Sequence, residues 1–233
     1  METTRRKIRS YTHRNSTLSH SREQTFQGLY DRFGIEFKDA FLDWHTAFGN
    51  PRDVVADVGS GMGEATIRFA LENPKTNVFA VEVYKPGVDR LLREVESLGL
   101  QNLCVCRHDA VEVFERMIPP GSLAGVHLFF PDPWPKRKHR KRRLVKPAFA
   151  RLVASRLRSG GYVHAVTDWE DYAVQILRFF LETVGLKNLY NGFAPPIPTR
   201  PVTRYERKGR AQDRPVRECL FVRSGTPGQA FPP

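Results

Sequence analysis

The stretch PDPWPKRKHRKRRLV, residues 131–145, places an acid and an aromatic ring directly before eight consecutive basic side chains. It follows the apolar run GVHLFF (125–130), so Asp132 and Trp134 stand where a predicted strand ends. A run of Lys and Arg binds phosphates. A solvated charged loop is the simpler interpretation, but the combination favours a site in which residues 136–143 hold a polyanion beside Asp132.

A second candidate site is the glycine-rich loop in VADVGSGMGEA, which joins a predicted strand to a predicted helix through Gly59, Gly61 and Gly63. A dinucleotide fingerprint requires glycine at position 64, where this chain has Glu64. The charges of Asp57 and Glu64 would repel a pyrophosphate at the helix N-terminus. A cationic ligand without phosphates suits the loop better, and S-adenosylmethionine (SAM), with its ammonium and sulfonium groups, is such a ligand.

Two further acids follow the next predicted strands. Glu82 ends the second strand, where a Rossmann-type acid accepts hydrogen bonds from ribose hydroxyls. Asp109 follows the third and is placed to accept from an adenine amino group. The alternative is that the acids are helix caps and the glycines a plain turn. Acids at three successive strand ends favour the SAM site.

The elements that position these residues follow from the alternation of short apolar runs with helical patterns, which is typical of a parallel sheet. Strands are predicted at 53–58, 77–83, 103–107, 125–130 and 162–167. Further edge strands are expected in the weaker apolar run after Gly185 and at 219–222. Helices are predicted at 64–72, 86–98, 110–117, 144–158 and 170–184. The predicted fold class is therefore α/β, with a mostly parallel sheet and helices on both faces. Ligands of such sheets bind at the carboxyl ends of the strands.

The net charge of +12 over 233 residues is concentrated in two segments. Residues 1–22 carry six Lys or Arg against one Glu, and residues 136–143 carry seven with no acid. This placement indicates a polyanionic partner, nucleic acid before a membrane, because neither segment has an apolar helical face. The Arg- and Ser-rich N-terminus also resembles an organellar transit peptide, which we rank second.

The remaining composition bounds the compartment and the metal chemistry. No apolar run approaches the length of a transmembrane helix. Cys104, Cys106 and Cys219 form no CxxC pair. We therefore expect a soluble, reduced, cytoplasmic chain without a metal site.

Four motifs together resemble one family: LFFPDPWPKRKHRKRRLV (128–145), AVTDWEDYA (165–173), RPVTRYERKG (200–209) and RRKIRSY (5–11). They are similar to the bacterial tRNA (guanine-N7)-methyltransferases of the TrmB type, from Arg5 to Arg223. The resemblance implies a Rossmann-like SAM-dependent methyltransferase fold and methyl transfer to N7 of guanine 46 in the tRNA variable loop. It implies tRNA as partner, with no metal, no membrane and no obligate protein partner. We divide the chain into a basic N-terminal extension, residues 1–40, and a methyltransferase domain, residues 41–233.

Carried over residue by residue, the resemblance assigns cofactor contacts to Asp57, Glu82 and Asp109, and the glycine-rich loop adds Gly59 and Gly61 as cofactor-binding residues. It assigns substrate contacts to seven positions: Asp132, Lys136, Asp168, Thr203, Arg204, Tyr205 and Glu206. Asp132 is the expected catalytic residue. It would orient guanine through the N1–H and N2–H donors and stabilise the forming cation without accepting a proton.

The chain departs from the family at two positions. Asp57 stands where many members have Glu, and Arg217 stands where members commonly have an aromatic residue, which puts the packing of the last strand in doubt. Amino-methyltransferases carry an [N/D/S]-P-P-[Y/F] loop after the fourth strand, which holds a planar base beside the methyl donor. This chain has Pro133 followed by Trp134 and then the basic run, which indicates that its planar base differs from that of the amino-methyltransferases.

Several alternatives stay open. The guanine-N7 methyltransferase has two rival interpretations. One is a methyltransferase that acts on an exocyclic amino group, and the other is an RNA-binding module with a vestigial cofactor fold. Asp168 is alternatively a helix cap and Glu206 a solvated acid, while Trp134 either stacks on guanine or packs over the sheet end. We expect His127 and His164 to be core residues.

Overall fold

A computed structural model of the chain describes residues 9–11, 18–198 and 200–225. Its strands in chain order are β1 (Val54–Val58), β2 (Asn77–Val81), β3 (Leu103–Cys106), β4 (Leu123–Phe129), β5 (Leu157–Thr167), β6 (Leu186–Asn188) and β7 (Arg217–Arg223). Within the described ranges they form one seven-stranded sheet in the order β3-β2-β1-β4-β5-β7-β6. Strands β1 to β5 are parallel, while β7 runs antiparallel to both of its neighbours. The predicted fold class is confirmed.

The helices are α1 (His20–Phe33), α2 (Trp44–Phe48), α3 (Glu64–Glu72), α4 (Lys85–Ser97), α5 (Ala110–Arg116), α6 (Pro147–Arg156), α7 (Glu170–Leu181) and α8 (Arg204–Arg210). A 3-10 helix spans Arg137–Arg142. The five predicted helices and five parallel strands are confirmed within a few residues, and β6 and β7 lie where edge strands were expected. Helices α1, α2 and α8 were not predicted. No helix in the described part of the chain has the length and apolar character needed to cross a membrane.

Helices cover both faces of the sheet, which explains why the strands read as continuous apolar runs. Alternate residues of β2 enter different cores: Phe79 belongs to a core that includes residues of α5, α6 and α7, and Val78 to a core that includes residues of α1 and α4. Helix α1 lies within the predicted extension, yet Phe26, Leu29 and Tyr30 are buried in the second core. Residues 20–33 therefore share the core of the fold, and the division at residue 40 stays a prediction.

The strand order brings the candidate acids together. Strand β1 pairs with β2 on one side and with β4 on the other, so the chain reverses its direction of sheet growth between β1 and β4. A crevice opens at such a point outside the carboxyl ends of the strands. Asp57, Glu82 and Asp132 belong to the ends of these three strands and border this crevice.

Candidate active site

The glycine-rich loop is held tightly at the carboxyl end of β1. Gly61 has a φ of 59°, a left-handed conformation that side chains rarely adopt. Its N–H donates to the Glu82 Oε2 at 2.8 Å. A Cβ on Gly87, in the first turn of α4, would overlap the Gly61 carbonyl oxygen. The start of α4 and the end of β2 thus fix the loop from two sides.

Glu82 is the most heavily bonded acid of the site. Its carboxylate accepts the N–H groups of Gly61, Val83 and Tyr84 at 2.7–2.8 Å. Burial raises the pKa of Glu82; these hydrogen bonds oppose that rise, and the charge of Asp132 adds to it. Oε1 accepts two of these N–H groups and Oε2 accepts one, so Oε2 keeps a lone pair for a further donor. A ribose hydroxyl is a donor of the right kind.

Asp57 is the fourth residue of β1, two positions before Gly59, and is only 4% exposed. Its carboxylate accepts the hydroxyl hydrogen of Thr66 on α3. Burial raises the pKa of Asp57 to about 6, against the Thr66 hydrogen bond and with a contribution from the charge of Glu82. Asp57 is therefore within electrostatic reach of Glu82, and Glu82 is within electrostatic reach of Asp132. Such a site favours a cationic ligand.

The residues of the loop fit SAM in a second respect. The Ser60 hydroxyl oxygen, between Gly59 and Gly61, is buried and has no hydrogen-bond partner. An unpaired buried hydroxyl is costly, and a polar ligand group in the crevice would satisfy it. The carboxylates supply acceptors for ammonium and hydroxyl donors.

Asp109 has a structural partner as well. Its Oδ1 accepts the Val111 N–H at 2.8 Å, so it caps α5. The cap that we weighed as the alternative is therefore present. A carboxylate that caps a helix keeps further lone pairs, and a contact with adenine stays a prediction.

The loop after β4 is strained at two positions. Phe130 has a φ of 52° and Trp134 a φ of 44°, which are uncommon values for bulky residues. The Phe130 N–H donates to the Val166 carbonyl on β5 at 2.7 Å. Strain of this kind persists only where the surroundings over-determine the backbone. Asp132 lies between the two strained residues and is exposed.

Trp134 packs against protein groups on this loop. The Arg142 guanidinium lies 4.0 Å from the centre of the indole ring, and the His139 ring meets it edge-on. The indole N–H donates to the Ser10 carbonyl at 3.0 Å. Arg142 also donates to the carbonyls of Arg9 and Tyr11. The structure thus supports the packing role of Trp134 and attaches residues 9–11 to the loop, which sequence reasoning missed.

The basic run divides into exposed and internal residues. Lys136, Arg137, Lys138 and Lys141 are exposed, and Arg140 pairs with Asp171 at 2.8 Å. Arg143 has a side chain that is 1% exposed. The prediction that all of residues 136–143 form a phosphate-binding surface is therefore wrong for Arg143, because a buried side chain cannot reach a phosphate on RNA.

Comparisons with known proteins fit this geometry. Residues 51–219 match a family model described as "Putative methyltransferase". The chain is 42% identical over 217 residues to a tRNA (guanine-N(7)-)-methyltransferase of Bordetella pertussis, covering 93% of this chain and 85% of that protein. It is 39% identical to a protein of the same name from Nitrosomonas eutropha, covering 93% and 97%. The chain belongs to the tRNA (guanine-N7)-methyltransferase family.

Solved structures agree on the fold. The 16S rRNA methyltransferase KamB superposes with a TM-score of 0.59 at 20% identity, over 79% of this chain and 95% of that one. A 16S rRNA (adenine(1408)-N(1))-methyltransferase from Catenulisporales acidiphilia, crystallised with SAM, gives 0.54 at 15% identity, over 81% and 95%. At these identities the likeness shows a Rossmann-like methyltransferase fold and no more.

The TRYE segment of the family motif lies over the glycine-rich loop. Thr203 accepts the Glu206 N–H at 3.1 Å and so caps α8. The Arg207 guanidinium pairs with Glu64 at 2.9 Å, and the Tyr205 ring approaches Gly61. Helix α8 therefore lies beside the glycine-rich loop and the start of α3. Contacts of Thr203 to Glu206 with the substrate stay a prediction.

The alternative interpretation of Glu206 as a solvated acid is wrong. Its carboxylate is fully buried and pairs with Arg200 and Arg210. Burial opposes its ionisation, but the hydrogen bond from Arg200 and then that from Arg210 lower its pKa below the ordinary value. Arg200 also pairs with Glu218 on β7 at 3.0 Å. In this arrangement Glu206 anchors α8 to the sheet.

Asp168 directly follows β5, and its Oδ2 accepts a hydrogen bond from the Arg214 Nε at 2.8 Å. The same oxygen forms an ion pair with the Arg214 Nη2 at 2.6 Å. The helix-cap interpretation of Asp168 is wrong, since the N-cap residue of α7 is Trp169 and it makes no side-chain cap. A Cβ on Gly209 would come within 2.6 Å of Asp168, so α8 packs directly on this acid. Binding of substrate by Asp168 stays a prediction.

The remaining predicted residues have these positions. His127 and His164 are core residues as predicted, being 4% and 6% exposed, and burial lowers the pKa of His127 to about 3. Arg217 pairs with Glu170 at 3.0 Å and lies over the Phe193 ring, so β7 forms despite the departure. Within residues 9–11, 18–198 and 200–225, no three His, Cys, Asp or Glu side chains group as metal ligands would.

Proposed function

We propose that the chain transfers the methyl group of SAM to N7 of guanine 46 in the variable loop of tRNA. The observation that carries the proposal is the proximity of two carboxylates in one crevice, Asp132 after β4 and Glu82 after β2. Asp132 lies in the loop after β4, residues 130–136, which we call the acceptor loop. Glu82 lies beside the glycine-rich loop. The charge of Asp132 raises the pKa of Glu82, in addition to the larger effect of burial, so the two carboxylates are close. A methyl donor and a base held at these acids would be neighbours.

The chemistry needs placement more than proton transfer. SAM, when bound, supplies an electrophilic methyl group. Guanine N7 carries a free lone pair, so no residue has to remove a proton from it. Asp132 would accept the N1–H and N2–H donors of guanine and stabilise the positive charge that develops on the ring. Lys136, exposed four residues later, would contact a phosphate beside it.

The exposed basic residues supply the binding energy for an otherwise unfavourable step. A variable-loop guanine in folded tRNA must turn out to reach the crevice, which costs a few kcal/mol. Arg137, Lys138 and Lys141 lie on the 3-10 helix that follows the loop after β4, and Lys136 directly precedes it. Phosphate contacts from them would offset that cost and make affinity strongly salt-dependent.

The direct test is incubation of the chain with isotope-labelled SAM and tRNA, followed by nucleoside mass spectrometry and mapping of the product. We expect 7-methylguanosine at position 46 and no product on a tRNA with adenine at that position. Label on an exocyclic amino group would favour the alternative enzyme, and SAM binding without any methylated nucleoside would favour the RNA-binding module.

The pKa of Asp57 predicts a pH-dependent affinity for SAM. Burial raises that pKa to about 6, so the carboxylate loses its charge as the pH falls through this value. We expect SAM to bind about tenfold more weakly at pH 5 than at pH 7, measured by calorimetry. Asp57→Asn should bind weakly at both values, and an equal pH dependence in that variant would contradict the assignment.

The weaker binding of SAM at low pH would not reflect unfolding caused by protonation of Asp57. Its pKa in the folded chain lies above its ordinary value of 3.8. The folded state therefore takes up this proton more readily than the unfolded state, and the contribution of Asp57 to stability rises as the pH falls from about 6 toward 3.8.

The exposed part of the basic run is testable through salt. We expect the triple variant Arg137→Gln, Lys138→Gln, Lys141→Gln to lose tRNA affinity and to flatten its salt dependence. Each lost phosphate contact reduces the slope of log affinity against log salt by roughly 0.7–0.9. Filter binding over a salt series measures this slope. SAM affinity should not change.

A matched control removes the same charge elsewhere. Arg52, Lys75 and Arg158 are exposed near the amino ends of β1, β2 and β5, opposite the crevice. Their replacement by Gln should leave the slope much closer to that of the wild type. Equal slopes for the wild type and for the Arg137, Lys138, Lys141 variant would mean that RNA lies elsewhere.

A further inference from the structure

One basic residue of the run behaves unlike its neighbours. The Arg143 side chain is 1% exposed, although it ends a series of mostly exposed basic residues. Its Nε donates to the Pro133 carbonyl at 2.8 Å, and its two terminal nitrogens donate to Gln175 at 2.9 Å and to both Asp171 oxygens at 2.9–3.0 Å. The guanidinium also lies 4.7 Å from the centre of the Tyr172 ring.

These contacts exclude a role in binding RNA phosphates. A buried guanidinium is stable only when it is paired and hydrogen-bonded, and Arg143 meets both conditions within the protein. Its donors point to α7 and to the loop, and a phosphate would have to displace Asp171 to reach them. What the contacts do is connect the acceptor loop to α7.

Helix α7 contacts the segment 133–145 at both ends of that segment. Arg143 ties the Pro133 carbonyl to Asp171 and Gln175. At the other end the Val145 N–H donates to the Tyr172 hydroxyl at 3.1 Å, and the Val145 carbonyl accepts from Gln175 at 2.9 Å. The strained backbone around Asp132 is thereby fixed to a helix, and Pro133 is the residue that follows Asp132.

We propose that Arg143 is a positioning residue for methyl transfer: by holding the Pro133 carbonyl on α7, it sets where the Asp132 carboxylate stands relative to the guanine. The inference rests on the proposed role of Asp132. A group misplaced by about 1 Å costs on the order of 100-fold in rate, so the anchor matters even though it does not touch the substrate. Arg143→Lys keeps the charge but loses the planar fork that bonds Pro133, Gln175 and Asp171 together.

A double-mutant cycle tests the proposal, with single-turnover methylation at saturating SAM and tRNA as readout. We expect Arg143→Lys to slow methyl transfer about 10- to 100-fold, with unchanged SAM affinity and an unchanged salt slope for tRNA. In an Asp132→Asn background the same substitution should cost little more, because both changes remove one interaction. Losses that multiply, or a flatter salt slope in Arg143→Lys, would overturn the inference.

The outcomes separate this inference from the function on which it rests. A wild-type rate for Asp132→Asn alone would remove the proposed role of Asp132 and the inference with it. A slow Asp132→Asn combined with a wild-type rate for Arg143→Lys would overturn only the inference. If Arg143→Lys does not fold, Asp171→Asn replaces it, since Asp171 has a side chain that is 35% exposed.

Arg156→Lys is the matched control for loss of a buried arginine. Arg156 is 9% exposed, and its guanidinium donates to the Phe114 carbonyl at 2.7 Å and the Glu115 carbonyl at 3.1 Å. It lies at the end of α6 beside the amino end of β5, away from the crevice. This control should lower the melting temperature while leaving the single-turnover rate unchanged. An equal slowing in Arg156→Lys would show that the effect of Arg143 reflects stability alone.

Discussion

Asp132→Asn is expected to slow methyl transfer at saturating tRNA and SAM about 100-fold or more, while tRNA affinity changes much less. Asn keeps one acceptor oxygen but turns an amide donor toward the donors of guanine. It also removes the negative charge opposite the cation that develops on the ring, an interaction made most strongly in the transition state. Single-turnover kinetics measure the rate, and filter binding measures the affinity.

The control for this substitution is Asp53→Asn. Asp53 precedes β1, at the amino ends of the parallel strands and opposite the crevice. It pairs with Arg158, and 56% of the Asp53 side chain is exposed. It should methylate at the wild-type rate. A rate near that of the wild type for Asp132→Asn would remove Asp132 from the chemistry, whatever the variant does to binding.

Glu82→Ala should weaken SAM binding by about 1.5–3 kcal/mol and leave tRNA binding almost unchanged. The substitution removes the acceptor for ribose hydroxyls. It also leaves the N–H groups of Gly61, Val83 and Tyr84 without their acceptor, so the glycine-rich loop loses its support. Calorimetric titration with SAM measures the loss.

Glu96→Ala is the matched control, because Glu96 lies on α4, is exposed, and pairs with Arg32 away from the crevice. It should bind SAM with wild-type affinity. Thermal melting of both variants shows whether the fold is intact. Unchanged SAM affinity in a folded Glu82→Ala would contradict the placement of the cofactor at the ends of β1 and β2.

The sequence predicted the part of the site that local patterns encode. The glycines of residues 59–63 and the acids after β1 and β2 are spaced along the chain, and a parallel sheet dictates that successive strand ends meet at one edge. Asp109 illustrates the limit of such patterns. An acid before a short helix fits a cap as well as a ligand contact, and the described hydrogen bond is the cap.

The partners of charged residues could not be predicted from spacing. Glu206 reads as a loop acid, yet it is buried by Arg200, which lies six residues away, and by Arg210 on α8. Arg214 meets Asp168 across 46 residues. Such pairings depend on the path of the chain between β6 and β7. That path cannot be predicted from the periodicity of apolar residues in the sequence.

Helix α1 was missed for another reason. Our interpretation of the N-terminus rested on the charge of residues 1–22, of which α1 contains only the last three, and passed over the apolar residues that follow. Phe26, Leu29, Tyr30 and Phe33 recur at three- and four-residue spacing, the pattern of a packed helix. The signal was present in the sequence, and net charge was the wrong property to rank first.

The burial of Arg143 sets unequal limits on sequence change within one charged stretch. At the exposed positions Arg137, Lys138 and Lys141, exchange between Lys and Arg preserves a point charge facing solvent. At Arg143 the same exchange removes a planar fork that no lysine reproduces. A relative whose basic run is shortened, shifted or rewritten should therefore tolerate the change as long as one arginine remains in register with Pro133 and with the Asp171 carboxylate.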